Sequence, residues 1–543
     1  MSTAHKPKKL KTELLSDFTA TSRMIPISLL ACIIGLVSAA LAWALLRLIA
    51  FFTNLFYYGR LSVAPASPVG NHLGWWAVLV PVGGALIIGL MARFGSDRIR
   101  GHGIPEALES ILIHGSKVQP RLALLKPLSS AISIGSGGPF GAEGPIIMTG
   151  GAFGSLIAQF FHLTNVERKT LLVAGAAAGM SATFATPVAA VLLAVELLLF
   201  EWKPRSAIPV ALASATAGAT RRYILGPGPL FPVPPHEIVI GPAGLAGCVL
   251  VGLLGGLLAV LLTTGIYAMD DLFAKLPIHW MWWPAIGAIA VGLGGLVFPQ
   301  ALGVGYDTIA ALLQGDVPRT VIAGVLLVKS TIWIISLGSG TSGGILAPLL
   351  MMEAALGGLE GMILPHIGTG FWPLVSMGAT LAGTMGAPFT AVLFALELTH
   401  DINVLLPLLV AAMLAHATTV LLLKRSILTE KVARRGFHIS REYSTDPLEG
   451  LFVREVMQPG NGVAGSSANS ASPDESLRTV VFRMAETGST SMPVVDRQTG
   501  QTVGIVSLGD LLQARTRNLK DERHRECVFG PGRGPETKTR VAC

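Results

Sequence analysis

The chain has 543 residues, of which 51% are hydrophobic and only 13% are charged. A soluble protein would carry about 25% charged residues, so the composition excludes an ordinary soluble protein and indicates a membrane protein. The net charge of +8 does not indicate nucleic-acid binding, because the basic residues lie mostly in the tails and at segment ends. Basic residues in those places are typical of membrane topology signals.

The N-terminal segment, residues 1–24, is polar and contains the basic stretch KPKKLK, so the positive-inside rule predicts that it is cytoplasmic. The apolar run that follows is too long for a signal-peptide core. Runs near or above the ~20 residues needed to cross a bilayer then recur as far as residue 425. These runs span residues 25–57, 74–93, 171–198, 243–268, 284–298, 319–337 and 403–423. They predict an all-α, multi-pass membrane domain over residues 25–425.

The membrane block contains an internal repeat. Three pairs of segments match at a spacing of 201 to 203 residues, and the longest-matching pair is identical at 7 of 11 positions. The pairs are PVAAVLLAVEL (187–197) with PFTAVLFALEL (388–398), GSGGPFGAEGP (135–145) with GSGTSGGILAP (338–348), and GHG (101–103) with GVG (303–305). We therefore expect two homologous halves, about residues 25–220 and 243–425, with a substrate site between them near the bilayer midplane.

Three segments combine glycines with a proline just before an apolar run, namely GHGIPE (101–106), GAEGP (141–145) and GGILAP (343–348). Glycine allows a sharp turn, and proline is favoured at the first helical position. Each segment therefore predicts the N-terminus of a broken membrane helix, where free N–H groups and about half a positive charge favour an anion. Unwound backbone is tolerated in a bilayer only where protein covers it or it lines a cavity. The three ends predict an anion site built largely from backbone.

Glu143 is the sharpest candidate residue, because it stands alone in an apolar, glycine-rich stretch at one of these helix starts. Its repeat partner is Leu346, so the repeat does not require a carboxylate here. Burying an unpartnered carboxylate in a membrane costs several kcal/mol, which makes a functional role the default hypothesis. We expect Glu143 to act as a tethered anion that gates the site; the alternative is a carboxylate that only caps the helix.

Glu196 and Glu397 are repeat-related and end equivalent apolar helices. Their symmetry favours a shared structural task, such as accepting hydrogen bonds from the backbone of a neighbouring loop. A role for Glu196 in a proton path is the alternative.

The one apparent enzymatic motif in the sequence lacks the context that its chemistry needs. GTSGG (340–344) fits the G-x-S-x-G pattern but has no preceding strand and no placed His or Asp partner. The four cysteines lack CxxC spacing, so neither a disulfide framework nor a metal site is predicted. We expect no enzyme activity, no metal and no cofactor.

The chain changes character after residue 425. Residues 426–448 are polar and basic and are interpreted as a linker helix, and residues 449–515 read as a small α/β domain. In that domain SMPVVD (491–496) and TVGIVSL (502–508) predict two strands around the turn RQTGQ, followed by a helix at GDLL. Residues 516–543 are charged and interrupted by Gly and Pro, so we expect a disordered tail.

These segments resemble the chloride channel and transporter family known as CLC. GHGIPE is similar to its GSGIPE segment, GAEGP to its GREGP segment and GGILAP to its GIFAP segment, in the same order over about 400 residues. The resemblance implies inverted repeats of tilted and broken helices, and a homodimer with one anion pathway in each subunit. It also implies a protein of the bacterial inner membrane with both termini in the cytoplasm. Chloride and protons are the implied partners, besides the lipid bilayer.

The resemblance also assigns residues. Glu143 matches the family's gating glutamate. The backbone amides expected to hold anions are those near Gly103 and Ile104, those of Ala142, Glu143 and Gly144, and those of Ile345 and Leu346. His102 stands at the position of a side chain that contacts the central anion in the family. The α/β domain resembles a single CBS module, a family that senses adenine nucleotides, and Ser507 and Asp510 match its ribose-contacting positions. Since such modules work in pairs and only one is visible, nucleotide binding requires pairing between two subunits.

Four departures from the family pattern concern the pathway. His102 replaces a serine and Leu428 replaces a tyrosine, and both of these usually give a hydroxyl to the central anion. Leu197 replaces a glutamate that receives protons from the cytoplasm in the exchangers. Ala142 removes a basic residue beside the gate.

The sequence leaves the mode of transport open. Glu143 keeps Cl⁻/H⁺ exchange possible, since one carboxylate can alternate between carrying a proton and blocking the path; exchange is the slightly favoured hypothesis. The losses at Leu197 and Leu428 favour passive, gated chloride conduction of the voltage-gated type. A third hypothesis is a sensor in which the CBS-like domain signals and transport is vestigial.

Overall fold

The structure is a computed structural model that describes residues 21–112, 115–237, 240–315, 317–436, 448, 451–460, 470–496 and 499–523. The described residues up to 436 belong to one compact unit, and those from 448 onward belong to a second. Each unit is described by itself.

The first unit is a bundle of helices in two halves, each with eight helical segments. The first half consists of α1 (Met24–Tyr58), α2 (Leu79–Phe94), α3 (Ile104–Leu112), α4 (Pro120–Gly135), α5 (Glu143–Gln159), α6 (Asn165–Phe184), α7 (Pro187–Leu193) and α8 (Pro204–Ile224). The second half consists of α9 (Pro242–Ala274), α10 (Trp283–Val297), α11 (Tyr306–Gln314), α12 with α13 (Arg319–Gly324 and Ser330–Gly338), α14 (Leu346–Glu360), α15 (Phe371–Met385), α16 (Pro388–Thr399) and α17 (Leu405–Leu422).

The two halves correspond helix for helix, which confirms the predicted repeat. α3 and α11 begin 202 residues apart, α5 and α14 begin 203 apart, and α7 and α16 begin 201 apart. The first half contains a π-helical turn after α7, at Ala194–Leu199, and the second half contains one between α12 and α13, at Val325–Lys329. Such turns often mark functional sites in helical proteins.

Six of the described helices are long and apolar enough to cross a membrane. They are Met24–Tyr58, Gly74–Phe94, Pro242–Ala274, Trp280–Val297, Arg319–Gly338 and Ile402–Arg434. Shorter helices, among them α3, α5 and α14, begin after non-helical segments inside the membrane unit. This mixture of long and broken helices confirms the predicted all-α membrane architecture.

The three glycine–proline segments start α3, α5 and α14, as expected. The prolines do not occupy the first helical position: Pro105 lies at the second, and Pro145 and Pro348 at the third. All three remain in the first turn, where the N–H that proline lacks has no partner inside the helix. Gly101 and Gly103 have φ of 92° and 95°, a left-handed conformation that favours glycine before α3.

The boundary expected at residue 425 is wrong. A further helix, α18 (Ile427–Arg434), belongs to the membrane unit, because the side chains of Ile427, Leu428 and Val432 are buried within it. The helix ends at Arg434, and Gly436 has a φ of 88°, typical of a residue just past a helix C-terminus. The interpretation of 426–448 as one linker helix is therefore wrong at 435–436, and residues 437–447 lie outside the described residues.

The second unit is a small α/β domain. Its sheet has the strand order β1–β3–β2, with β1 at Gln458–Pro459, β2 at Ser491–Val495 and β3 at Thr502–Ser507, all antiparallel. The two predicted strands are thus confirmed. The helices are α19 (Leu477–Thr487) and α20 (Leu508–Arg523). α20 continues past residue 515, so the expectation of disorder from 516 is wrong as far as 523; residues 524–543 lie outside the described residues.

Candidate anion-binding site

The segments before α3, α5 and α14 meet in the interior of the membrane unit. The Gly101 N–H donates to the Thr341 carbonyl at 2.8 Å. Gly141 and Gly344 exchange two backbone hydrogen bonds, of 3.0 and 2.8 Å. These contacts join the two halves of the chain across the repeat. The structure therefore brings the predicted helix starts together at one place.

The backbones at this junction approach so closely that only glycine fits. A Cβ atom added at Gly103 would lie 2.4 Å from the Gly144 carbonyl oxygen, and one added at Gly144 would lie 1.7 Å from the His102 carbonyl oxygen. Real side chains do not tolerate such distances, so these glycines are required by packing. The close approach of backbone to backbone leaves N–H groups, rather than side chains, to line the site.

Two buried lysines fix the loops that lead to this junction. Lys126 on α4 donates to the carbonyls of Ile99 and Gly101 at 2.8 and 2.7 Å. Lys329, 203 residues later, donates to the carbonyls of Ala301 and Gly303 at 2.9 and 2.7 Å. Both side chains are fully buried. The two lysines therefore serve the same structural task in the two halves.

The Glu143 carboxylate folds back over the junction. Its Oε2 atom would lie 1.7 Å from a Cβ at Gly141 and 2.8 Å from one at Gly344, so it fills the space that these glycines leave open. The residue is fully buried, and Oε2 has no hydrogen-bond partner among the described residues. The backbone N–H groups of Glu143 and Ala347 face the carboxylate, which places it at the positive ends of α5 and α14.

Two polar groups of the second half contact Glu143 or lie near it. The Tyr306 hydroxyl donates to Oε1 at 3.4 Å, a long and therefore weak hydrogen bond. The Lys329 ammonium lies near enough to interact electrostatically with the carboxylate. The polar side chains near the Glu143 carboxylate of the first half thus come from the second half.

The expectation for Gly103 requires correction. Its backbone N–H donates to Oε2 of Glu106 at 2.8 Å, so this amide already has a protein partner. The other oxygen of Glu106 accepts a hydrogen bond of 2.5 Å from Lys431 on α18. A carboxylate of α3 therefore caps its own helix start and ties α18 to it.

The remaining predicted pathway residues are buried. His102 is 4% exposed, and its Nδ1 atom lacks a hydrogen-bond partner among the described residues. Leu428 is fully buried on α18, the helix that the Glu106–Lys431 pair joins to α3. The other residues assigned to the anion site are buried as well, namely Ile104, Ala142, Gly144, Ile345 and Leu346.

Glu196 and Glu397 cap each other's repeat-related helices, as the structural interpretation predicts. Glu397 accepts hydrogen bonds from the N–H groups of Val188 and Ala189 at 3.0 and 2.8 Å, at the start of α7. Glu196 accepts from the N–H and hydroxyl of Thr390, at the start of α16, at 3.0 and 2.6 Å. The neighbouring Leu197 is fully buried.

Ser507 and Asp510 in the second unit form a capping box at the start of α20. The Ser507 N–H and hydroxyl donate to Oδ2 of Asp510 at 2.8 and 2.6 Å, and Gln458 donates to Oδ1 at 2.9 Å. Burial alone would raise the pKa of Asp510, but these hydrogen bonds outweigh it and lower the pKa. Both side chains are thus engaged in holding the helix start.

Tyr306, Lys126, Lys329 and Glu106 were not predicted from the sequence. The lysines carry a signal in their spacing, since Lys126 and Lys329 fall at the same offset as the glycine segments. Tyr306 follows the GVG segment directly, in the place that Ile104 holds after GHG. The recurrence of a polar residue at this spacing points to the two lysines, and not to Tyr306 or Glu106.

Residues 83–420 match the family model of the voltage gated chloride channels. The chain belongs to this family. Residues 453–517 match the CBS domain model, in agreement with the α/β fold of the second unit. The family consists of channels and transporters in membranes, so the chain is an integral membrane protein.

Two curated relatives are similar over most of their length. A protein of Ralstonia nicotianae named putative chloride channel protein ClcB-like is 30% identical over 382 residues, which are 66% of this chain and 85% of the relative. A voltage-gated ClC-type chloride channel ClcB of Escherichia coli O81 is 29% identical over 423 residues, 75% of this chain and 99% of the relative.

Solved structures support the fold. A slow cyanobacterial Cl⁻/H⁺ antiporter has a TM-score of 0.66 at 23% identity, covering 75% of this chain and 97% of that one. A eukaryotic CLC transporter has a TM-score of 0.63 at 18% identity, covering 90% of this chain and 99% of that one. At these identities the likeness establishes the shared fold and not the transport mode.

Proposed function

We propose that the protein transports chloride along a path through the junction of α3, α5 and α14, with Glu143 as the gate, and exchanges it for protons. The observation that carries this proposal is the position of the Glu143 carboxylate. It lies at the N-termini of two helices, fully buried, with one oxygen unpartnered among the described residues. A helix N-terminus that favours this anion favours chloride in the same place.

In the proposed cycle the ionised carboxylate and chloride compete for the same backbone N–H groups. A proton that binds to Glu143 gives a neutral carboxyl, which no longer competes for that field, and the side chain swings aside. Chloride then enters the vacated position. Loss of the proton to the opposite side restores the carboxylate, which displaces the anion. The cycle needs no cofactor.

Passive conduction is the second candidate. Leu197 and Leu428 are both fully buried and apolar, so neither offers a carboxylate or a hydroxyl for a second step of proton or anion handling. With Glu143 as the one titratable gate, chloride could pass whenever the carboxylate is displaced. The chloride channel names of the curated relatives agree with this alternative.

Purified protein in chloride-loaded liposomes distinguishes the two candidates. Under exchange, a chloride gradient drives protons against their own gradient, and Glu143→Gln abolishes that proton movement. Under passive conduction, chloride leaves without any proton movement. If wild-type chloride flux equals that of empty liposomes, both candidates are wrong and the sensor hypothesis gains support.

We also propose that the protein is a homodimer in a bacterial inner membrane, with both termini in the cytoplasm. The basic stretch KPKKLK before α1 supports this orientation. In such a dimer two CBS-like domains could pair. Nucleotide binding at Ser507 and Asp510 would then require the capping box of α20 to open, which equilibrium binding of labelled ATP to the purified dimer would test.

A further inference from the structure

A large cavity lies beside the gate in the membrane unit. Its volume is about 930 Å³. The walls come from the second half of α1, the end of α8, the segment 300–308 and the start of α12. Tyr306, whose hydroxyl contacts Glu143, lines the cavity, so the cavity reaches the gate through a single side chain.

The cavity is lined by two arginines that form no ion pair among the described residues. Arg221 at the end of α8 is only 6% exposed, and its Nη1 donates to the carbonyls of Gly226 and Gly228 at 2.9 and 3.5 Å. Its Nε atom is buried and has no hydrogen-bond partner among the described residues. Arg47 of α1 is half-buried and donates from Nη1 to the Val63 carbonyl at 3.1 Å.

A buried guanidinium without a carboxylate partner is costly, because its charge is removed from water and left uncompensated. The acidic residue that lines the cavity, Asp307, is exposed and forms no ion pair with either arginine. Arg221 lies near Tyr306, which links the buried cation to the residue that contacts the gate. A small anion held at the free Nε would satisfy both the charge and the unused donor.

We propose that this cavity contains a second anion site, in which Arg221, assisted by Arg47, binds a halide or another small monovalent anion before it passes Tyr306 to reach Glu143. The proposal rests on the chloride transport proposed above and adds the place where the anion is collected. If the N-terminus is cytoplasmic, the cavity opens on the outer side.

The apolar walls of the cavity make a lipid chain the competing occupant. Leu46, Ile49 and Leu225 are among the lining residues. A lipid would not need the unpartnered Nε of Arg221, whereas an anion would. The two occupants differ in their response to removal of the guanidinium charge.

The first experiment measures how chloride flux into proteoliposomes saturates with chloride concentration. Arg221→Gln and Arg47→Gln remove the two charges, and Arg222→Gln removes the charge of the adjacent, exposed arginine that does not line the cavity. We expect Arg221→Gln to raise the half-saturating chloride concentration by roughly 3- to 10-fold at nearly unchanged maximal flux, since local charge concentrates anions. Arg47→Gln should have a smaller effect in the same direction.

Arg222→Gln should stay within about twofold of wild type, because exposed charges are screened beyond about 8 Å at physiological salt. An equal effect of all three variants would mean that general surface charge acts, and would overturn the site. If Arg221→Gln fails to fold, Arg221→Lys retains the charge and Arg47→Gln still tests the cavity. Unchanged saturation in Arg47→Gln, with no anion located in the cavity, would overturn the proposal.

The second experiment locates the anion. Crystals of the wild-type protein soaked in bromide should give an anomalous peak within hydrogen-bond reach of Arg221 Nε, and the peak should be absent from Arg221→Gln crystals. Elongated density without an anomalous signal would identify a lipid chain and contradict the proposal. Wild-type protein that binds bromide there but moves no chloride would contradict the proposed function and leave the site intact.

Discussion

The two halves of the membrane unit share their architecture and differ in their chemistry. Shared features include the lysines that hold the loops before α3 and α11, and the glutamates that cap α7 and α16. The differences lie at the junction: the repeat position of Glu143 is occupied by Leu346 in the second half, and that of Tyr306 by Ile104 in the first half. Polar residues that occur in both halves therefore support the fold, and polar residues that occur in one half are the candidates for transport.

The comparison also separates two kinds of buried charge. Lys126 and Lys329 each have two carbonyl acceptors, which account for their burial. Glu143 has one weak hydrogen bond to a side chain, and its Oε2 atom is unpartnered among the described residues. A satisfied buried group fixes a structure, whereas a partly satisfied one can change its partners. The side chain best placed to move is thus that of Glu143, which has no counterpart carboxylate in the second half.

The largest effects on stability are expected at the shared lysines. Lys126→Met and Lys329→Met each leave two carbonyls unpaired, at a cost of about 1–3 kcal/mol for each buried group. Both variants should lower the unfolding temperature of the detergent-solubilised protein by similar amounts, while the exposed Lys424→Met should not. Unequal losses between the two lysines would break the structural equivalence of the halves.

Smaller effects are expected at the shared caps. Glu196→Ala and Glu397→Ala each remove an acceptor from a helix start, which costs about 0.5–2 kcal/mol. Thermal unfolding should detect both losses, and proton movement per chloride should remain that of the wild type. If Glu196→Ala alone stopped proton movement, Glu196 would belong to a proton path and the symmetry argument would fail at this position.

A modest effect is expected at Tyr306, a residue found in one half only. The contact with Glu143 is long, so Tyr306→Phe should change gating by no more than about 1 kcal/mol, or roughly fivefold in flux. Chloride flux measured between pH 5 and 8 checks this, with the exposed Tyr223→Phe as the control. An unchanged flux profile would remove Tyr306 from the gate.

The smallest effect is expected outside the membrane unit. Asp510→Asn weakens the capping box of α20 by about 1 kcal/mol. The pKa of Asp510 is lowered, so its contribution is present above the ordinary value near 3.9 and is lost as the pH falls through the lower folded-state value. Limited proteolysis of the full-length variant should cut the C-terminal unit faster, with chloride flux unchanged.

Much of the architecture could be predicted because the determining signals lie within short stretches of sequence. Apolar runs gave the spans, and glycine with proline gave the starts of α3, α5 and α14. The boundary at residue 425 failed because α18 is short and carries many charges, while its apolar residues Ile427, Leu428 and Val432 pack into a membrane unit that local composition does not reveal.

The site could be predicted only in part. Glu143 was recognisable from its isolation in an apolar stretch, but the bond from the Gly103 amide to Glu106 depends on the turn before α3. Arg221 and Tyr306 are distant in sequence, and only the folded chain places them around one cavity. Contacts of this kind between separate helices carry no local pattern.

The central claim is that Glu143 carries the proton. The most direct test compares Glu143, which occurs in one half only, with Glu397, which has a counterpart in the other half. Chloride-driven proton uptake should be measured in proteoliposomes of wild type, Glu143→Gln and Glu397→Gln. The account predicts that Glu143→Gln moves chloride with proton uptake reduced by at least about tenfold, the effect of losing an essential proton carrier, while Glu397→Gln keeps wild-type coupling. Proton uptake that persists in Glu143→Gln, or disappears in Glu397→Gln, would contradict it.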